Sequence, residues 1–331
     1  MRKPIVFLLT LFVILSCNRN QCEINPEIAE IKVDVKIERL ENAFFRARNE
    51  NDIRTFLRSN QSFFQKYLQP EQYEDEATQV SSLFKLTQEP NLQKFARETE
   101  QKFGDMADVE TELENGFKHL KYYYPQATVP IVKTFISGLL GPDLLVSDSL
   151  VVLGIDYFAG KEASYRPQQP EYILQRYAKP YMVPAVFLQL SAKYNQTQQQ
   201  ERTMLAQMID FGKSFYFTQR MLPCTPDSVI IGYTDQEMAD IHYNEGKIWA
   251  HFIEKSLLYE TNHFKLTKYI SERPNIPEIG KQCPGRIATW VGWQIVRKYM
   301  AENPEVTLQQ LMQETDAQKI FTQSRYKPKR R

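Results

Sequence analysis

The sequence predicts an α+β protein that is mainly α-helical and carries one small antiparallel sheet. Glycine is scarce, with 12 residues in a chain of 331, whereas phenylalanine and tyrosine account for 20 and 18 residues. Few glycines and many large side chains favour helices over a β-sandwich. Apolar residues also recur at three- and four-residue spacing over most of the chain, which is the pattern of amphipathic helices.

Strands are predicted where the apolar period changes to two. Ile31, Val33, Val35 and Ile37 alternate with polar residues, as expected for a half-buried strand. Further strands are predicted at 129–136, 144–146 and 149–156, where apolar runs are bounded by turn residues. We expect these strands to form the small sheet.

Helices are predicted over most of the remaining chain, at 40–68, 75–87, 90–103, 108–124, 172–194, 201–217, 234–259 and 286–300. The last of these segments is apolar on nearly every side. Because a helix that is apolar all round is buried, we expect it to form the core of the fold.

The N-terminal stretch is typical of a lipoprotein signal. Arg2 and Lys3 precede an apolar run of about eleven residues, which suits a signal-peptide core and is too short to span a bilayer. The run ends in Ile-Leu-Ser-Cys at residues 14–17, which looks like a bacterial lipobox. We therefore expect residues 1–16 to be a signal peptide, Cys17 to be lipidated, 17–30 to be a tether and 31–331 to be one helix-rich domain. The alternatives are an ordinary secretory signal with a chance cysteine, or an uncleaved anchor.

The charge of the chain argues against nucleic acid as a partner. The full sequence has 41 basic and 40 acidic residues and a net charge of +1. Removing 1–16 takes away Arg2 and Lys3, which leaves 39 basic residues against 40 acidic ones and a net charge of −1. A surface that binds phosphates would be strongly basic.

The cysteines allow one internal disulfide at most. If Cys17 carries lipid, Cys22, Cys224 and Cys283 are left, which is an odd number. A Cys224–Cys283 bond is one possibility, because both residues lie beside prolines in loop-like sequence. The other is that all three are unpaired.

No intact catalytic motif is present. The sequence has no nucleophile elbow, phosphate loop, dinucleotide fingerprint or His-Glu-x-x-His pair. His242 and Glu245 lie three residues apart and could contribute two metal ligands from one helix face. The alternative is a surface histidine beside a core carboxylate. The sequence predicts neither a metal site nor a cofactor.

Several charged side chains fall within apolar sequence, and buried charges must be paired. We expect one buried polar cluster in the C-terminal half, formed by Asp156, Lys213, Glu245, Arg286 and Arg297. A structural latch, a ligand site and an active site are the alternatives for it. A separate possibility is an aromatic-lined pocket for a small ligand around Trp249, Trp290 and Trp293.

The chain resembles a known family in stretches along nearly its whole mature length. These stretches are Lys121–Pro125, Thr134–Gly138, Gly154–Tyr157, Phe211–Lys213, Pro284–Arg286, Trp290–Val296 and Ser324–Pro328. Together with the lipobox, they resemble the gliding-motility lipoprotein GldB family of the Bacteroidetes. The resemblance implies a cell-envelope lipoprotein that is needed for gliding and is associated with type IX secretion. It supplies no biochemical activity.

That family also looks distantly similar to predicted zinc peptidases that carry His-Glu-x-x-His on a helix. The comparable segment here, 201–217, has no histidine and offers Asp210 and Lys213 instead. If the relation is real, the chain has a degenerate zincin-like scaffold without its metal, since zinc chemistry needs two imidazoles on one helix face.

We expect a non-catalytic lipoprotein whose partners are the membrane, through its lipid anchor, and other gliding and secretion proteins. Residues 18–21 lack the acidic residues that follow the cysteine in surface-exported lipoproteins of the Bacteroidetes. The location predicted is therefore the outer membrane, facing the periplasm. The alternative functions are an envelope hydrolase that uses Glu245 and His242, and a small-ligand-binding lipoprotein.

Overall fold

A computed structural model describes residues 25–197 and 201–328. The signal peptide, Cys17, the first part of the tether and the end of the C-terminal tail lie outside the described residues. Among the residues that are described, no helix is both long and apolar enough to cross a bilayer.

The described chain is mainly helical. The first helices are α1 (Pro26–Ala29), α2 (Leu40–Phe44), α3 (Glu50–Ser59), α4 (Gln61–Lys66), α5 (Glu76–Gln88), α6 (Pro90–Phe103), α7 (Ala107–Tyr123), α8 (Glu171–Leu174) and α9 (Met182–Ser191). The later ones are α10 (Met204–Met221), α11 (Asp227–Ile231), α12 (Asp235–Tyr243), α13 (Glu245–Glu254), α14 (His263–Ile270), α15 (Ile287–Glu302), α16 (Leu308–Gln313) and α17 (Ala317–Ser324). Short 3₁₀ helices lie at Pro70–Gln72, Lys179–Tyr181 and Leu257–Tyr259.

Four short strands form one mixed sheet, β1 (Ile37–Arg39), β2 (Ile131–Phe135), β3 (Leu144–Val146) and β4 (Leu150–Gly154), in the order β1-β2-β4-β3. β1, β2 and β4 are parallel, and β3 is antiparallel to β4. The α+β, mainly helical class is confirmed, but the sheet is mixed and not antiparallel. Helices α2 to α7 lie between β1 and β2 in the chain, and a connection of this length lets the second strand run in the same direction as the first. The first strand is also shorter than predicted, since 31–36 are not part of it.

The sheet lies between two apolar cores. Val151 and Leu153 of β4 point into the main core, whereas Leu150 and Val152 point into a smaller one formed with α2 to α5. This alternation is the period-2 geometry of a strand, and all five residues of β4 are buried. Burial on both faces explains why β4 reads as a continuous apolar run.

The main core is built around the helices α10 and α15. These helices run in the same direction, because Met208 of α10 lies beside Gly292, and Gln219 near its end bonds Arg297. A Cβ on Gly292 would lie 1.8 Å from the carbonyl oxygen of Met208, and one on Gly212 would lie 2.4 Å from that of Gly292. The two helix backbones therefore touch, with glycine on both sides. The prediction that α15 is buried on nearly every side is confirmed.

Both alternatives given for the cysteines, a Cys224–Cys283 disulfide and three unpaired cysteines, are wrong. Cys224 forms a disulfide, whereas Cys283 is a buried free thiol. Cys224 follows the end of α10, and Cys283 precedes the start of α15. Because the two helices run side by side in the same direction, the two cysteines lie at opposite ends of the pair, about 27 Å apart along an 18-residue helix. A disulfide spans only about 4.4–6.8 Å between Cα atoms.

Candidate functional site

The five charged residues expected to form one polar cluster have separate partners. Among the hydrogen bonds and ion pairs of the described residues, none joins two of the five, which are Asp156, Lys213, Glu245, Arg286 and Arg297. The prediction of a single cluster is therefore not what the structure shows. The sequence identified side chains that need partners, but their partners come from distant segments.

Asp156 fixes the turn that follows β2. It lies at the end of β4, and its Oδ2 accepts hydrogen bonds from the backbone N–H groups of Ser137 and Leu139 at 3.0 and 2.9 Å. The Ser137 hydroxyl lies 3.3 Å away. Gly138 and Leu139 both have positive φ angles, 74° and 63°, so the carboxylate stabilises a strained turn. Burial raises the pKa of Asp156 to about 6.

Lys213 connects two chain segments by their backbones. Its Nζ donates to the carbonyl oxygens of Gln196 and Glu314 at 2.7 and 2.8 Å. The side chain is buried, and this burial lowers its pKa to about 8. Asp210, one turn earlier, bonds Asn195. These contacts hold the segments around Gln196 and Glu314 to α10.

Glu245 and Arg297 also pair with residues from distant segments of the chain. Glu245 accepts a hydrogen bond of 2.8 Å from the hydroxyl of Tyr326. Arg297 pairs with Asp227 at 2.6 Å and stacks over Trp293, with its guanidinium carbon 4.0 Å from the ring centroid. The contact with Tyr326 connects α13 to the C-terminal segment, and the contact with Asp227 connects α15 to α11.

The three tryptophans do not line one pocket. Trp290 and Trp293 are fully buried in the core. Trp249 instead faces an apolar surface groove that Lys327 and Pro328 also line. The rings of His242 and Trp290 pack edge to face, with their centroids 5.4 Å apart. Within 25–197 and 201–328, no group of three or more His, Cys, Asp or Glu residues could hold a metal ion.

A cleft of about 340 Å³ combines charge with apolar walls. We call it the arginine cleft, after Arg176 and Arg286, which line it together with Glu272. Its walls come from α8, α9 and α11 and from the segments that flank them. They include Phe158, Ile173, Tyr177, Tyr181, Pro184, Leu188 and Val229. Its volume lies within the range of small-molecule sites, about 300–1,000 Å³.

One carboxylate serves both arginines of the cleft. Glu272 Oε2 lies 2.8 Å from Arg176 Nη2, and Glu272 Oε1 lies 3.0 Å from Arg286 Nε. Arg286 also donates to the carbonyl oxygen of Ile231 at 2.8 Å. The Nε of Arg176 is buried and has no hydrogen-bond partner among the described residues. The pair of guanidinium groups is therefore only partly neutralised by Glu272.

The local backbone explains how the two arginines reach the cleft. Arg286 has a φ of 59° and is the residue that precedes α15, so its side chain leaves the helix axis at the N-terminal end. Its guanidinium stacks 5.3 Å from the ring centroid of Tyr233. Gly232 has a φ of 75°, and a Cβ there would lie 2.2 Å from the side chain of Arg176. Only glycine leaves Arg176 room to lie across this backbone.

Sequence reasoning found Arg286, one of the four charged residues that line the cleft, because it lies at the N-terminal edge of an apolar helix, and it did not single out Asp143. Arg176 and Glu272 were missed, since each lies in polar sequence where a charged residue is the normal expectation. The glycine that follows Ile231 was the signal that could have drawn attention to this region, because it ends α11 with a positive φ.

The fold and this cleft define a mixed-sheet α+β protein with a charged cleft of ligand size. The sequence-family model of the gliding motility protein GldB family matches residues 21–328. The chain therefore belongs to the gliding motility protein GldB family, which confirms the resemblance seen in the sequence. No curated protein and no solved structure matches the chain significantly.

Proposed function

We propose that this gliding-motility protein is a lipoprotein that is anchored through Cys17 and works in the cell envelope by binding partners. The observation that carries the proposal is the family match, which extends over residues 21–328. The lipobox at residues 14–17 supports the anchor, and two or three acyl chains give a stable one, since each buried methylene contributes about 0.8 kcal/mol. The sequence after Cys17 favours the outer membrane, facing the periplasm.

We propose further that the protein acts without catalysis, alongside other gliding and type IX secretion proteins. The missing catalytic motifs support this view. Hydrolysis of a peptide or glycan by the purified protein at a useful rate would contradict it. An envelope hydrolase that uses His242 and Glu245 would bind metal, measured by elemental analysis, and would lose that metal in His242→Ala.

The arginine cleft favours ligand binding as a second candidate function. A ligand-binding lipoprotein needs a pre-formed concave site with a few polar groups and apolar walls, and the cleft combines these features. Binding of a ligand and binding of a protein partner are compatible, because a partner can place a terminal or side-chain group in such a site.

The experiment that tests the proposal compares wild type with Cys17→Ala in cells that lack the native gene. Cells are fractionated, gliding is scored, and the protein is recovered from detergent-solubilised envelope to identify what accompanies it. Cys283→Ala is the matched control, because it removes a buried, free cysteine thiol that is far from the lipobox in the sequence. We expect Cys17→Ala alone to lose the membrane fraction, the accompanying proteins and gliding. An untethered mutant that still glides would overturn the proposal.

A further inference from the structure

The arginine cleft has unsatisfied capacity for an anion. Arg176 and Arg286 present two guanidinium groups, each with several N–H donors. The two groups share a single carboxylate, that of Glu272. The buried Nε of Arg176 has no partner among the described residues. A buried polar group without a hydrogen bond is costly, about 1–3 kcal/mol. The side chain of Arg176 lines the cleft, so a ligand there would lie beside a guanidinium group whose ion-pair partner among the described residues is Glu272, which it shares with Arg286.

The other acidic residues near the cleft have partners. Asp143 accepts a hydrogen bond of 3.0 Å from the hydroxyl of Tyr177. Glu237 accepts from the backbone N–H and the hydroxyl of Thr234, at 2.7 and 3.0 Å, where it caps α12. Asp235 accepts from the Ser228 hydroxyl. Asp143 lines the cleft, but no ion pair among the described residues joins it, Asp235 or Glu237 to either arginine, so Glu272 is the carboxylate that pairs with them.

The end of the cleft that Arg176 and Arg286 line favours a carboxylate. A guanidinium is a planar fork whose paired N–H groups match the two oxygens of a carboxylate. Glu272 bridges the two arginines with one oxygen on each, so neither guanidinium uses both arms of its fork on this carboxylate. Arg286 lies at the N-terminal end of a 16-residue helix, and that end of a helix also favours negative charge.

The apolar part of the cleft indicates what the carboxylate is attached to. Ile173, Leu188, Val229 and Ile230 lie along it, together with the rings of Tyr177 and Tyr181. Such walls exclude water from an apolar chain and gain about 25 cal/mol for each Å² of apolar surface removed from water. A small inorganic anion would leave these walls uncovered.

We propose that the arginine cleft binds a carboxylate carried on a short apolar chain, with Arg176 and Arg286 holding the carboxylate and the walls from α8, α9 and α11 holding the chain. The inference rests on the proposed binding function and names its ligand class. A peptide with an apolar C-terminal residue and a fatty acid share this chemistry, and the experiment distinguishes between these two sources.

The test is calorimetric titration of full-length protein in a nonionic detergent. The probes are a tetrapeptide that ends in leucine with a free carboxyl group, the same peptide with an amidated C-terminus, and hexanoate. We expect a free carboxylate to bind, and the amidated peptide to bind about tenfold more weakly or worse, since it loses a charge-assisted hydrogen bond. Binding of the free peptide but not of hexanoate assigns the site to peptide ends, and the reverse assigns it to fatty acids.

Two variants test the residues. Arg176→Gln removes one guanidinium and should weaken binding about tenfold or more. Arg54→Gln is the matched control, because Arg54 pairs with Glu50 and Glu76 on a distant surface, and it should bind as wild type does. Ala185→Leu keeps both arginines but places a larger side chain on the cleft wall, and it should also weaken binding.

Three results would overturn the inference. They are equal affinity for the free and amidated peptides, no binding of any carboxylate by the wild-type protein, and unchanged binding by a folded Arg176→Gln. The comparison of the two peptides uses only the wild-type protein, so it decides the question even if a variant fails to fold. Failure here leaves the result of the Cys17→Ala experiment unaffected, so the two proposals can fail separately.

Discussion

Replacing Gly292 by alanine should separate the two central helices. The added Cβ would lie 1.8 Å from the carbonyl oxygen of Met208, where an ordinary contact needs at least 3.4 Å. The helices would have to move apart by roughly 1.6 Å along this line. Both sides of the contact are backbone, so no flexible side chain can turn away to relieve it.

The cost follows from the packing around the crossing. A gap of 0.5–1 Å already removes about a quarter to a half of the dispersion energy of each contact, and Trp293 and Ile209 pack beside the crossing in the core. Overpacking usually costs about 1–3 kcal/mol. Because the whole helix pair must separate, we expect Gly292→Ala to lower the free energy of unfolding by about 3 kcal/mol or more. The helical preference of alanine returns only about 1 kcal/mol.

The assay is urea unfolding followed by far-UV circular dichroism on the purified protein. Gly280→Ala is the matched control, because the nearest atom to its added Cβ is Lys247 Nζ at 3.9 Å, and it should change the free energy of unfolding by less than about 0.5 kcal/mol. If Gly292→Ala unfolds within about 0.5 kcal/mol of wild type, the reasoning about the helix crossing is refuted.

Two further predictions concern the carboxyl group of Asp156 and the disulfide of Cys224. The raised pKa of Asp156, about 6, means that the folded state binds this proton more tightly than the unfolded state. The stability of wild type relative to Asp156→Asn should therefore be greatest below about pH 4 and fall by about 3 kcal/mol as the pH rises through 6. Since Cys224 forms a disulfide and Cys283 does not, lipidation of Cys17 would leave Cys22 as the only partner for Cys224, and mass spectrometry of unreduced peptides should recover that cross-link.

Each of these predictions has its own control. Asp148→Asn is the control, because Asp148 is exposed and pairs with Lys193 on the surface. The difference in free energy of unfolding between wild type and this variant, measured by urea unfolding from pH 4 to 7, should show no such trend. Parallel stability curves for wild type and Asp156→Asn would contradict the role of the buried carboxylate. For the disulfide, a peptide that joins residues 17 and 224 would contradict lipidation of Cys17.

Local signals predicted the helices well where the chain carries its own boundaries. The helix α6 has the bounds expected from the sequence, 90–103, because Pro90 starts it and Gly104, with a φ of 60°, ends it. The helix α14 was missed, since Phe264 points to solvent, 80% exposed, and breaks the apolar pattern. The predicted helix 234–259 is two helices, because the chain bends at Asn244.

Long-range pairing could not be predicted in the same way. Apolar periodicity within a single strand is the same in parallel and antiparallel sheets, so this pattern alone does not give strand direction. The partners of Lys213 are backbone carbonyl groups, which every residue has, so no sequence pattern identifies them. Arg286 and Glu272 meet only because the loop before α15 folds back.

The proposal that the protein acts by binding, together with the inferred ligand site, predicts that gliding depends on the arginine cleft. The most direct test is gliding speed on agar for cells whose only copy carries Arg176→Gln, compared with cells that carry Arg54→Gln at the same protein level. The account predicts that Arg176→Gln abolishes or strongly slows gliding, while Arg54→Gln glides as wild type does. Normal gliding by cells with Arg176→Gln would contradict it.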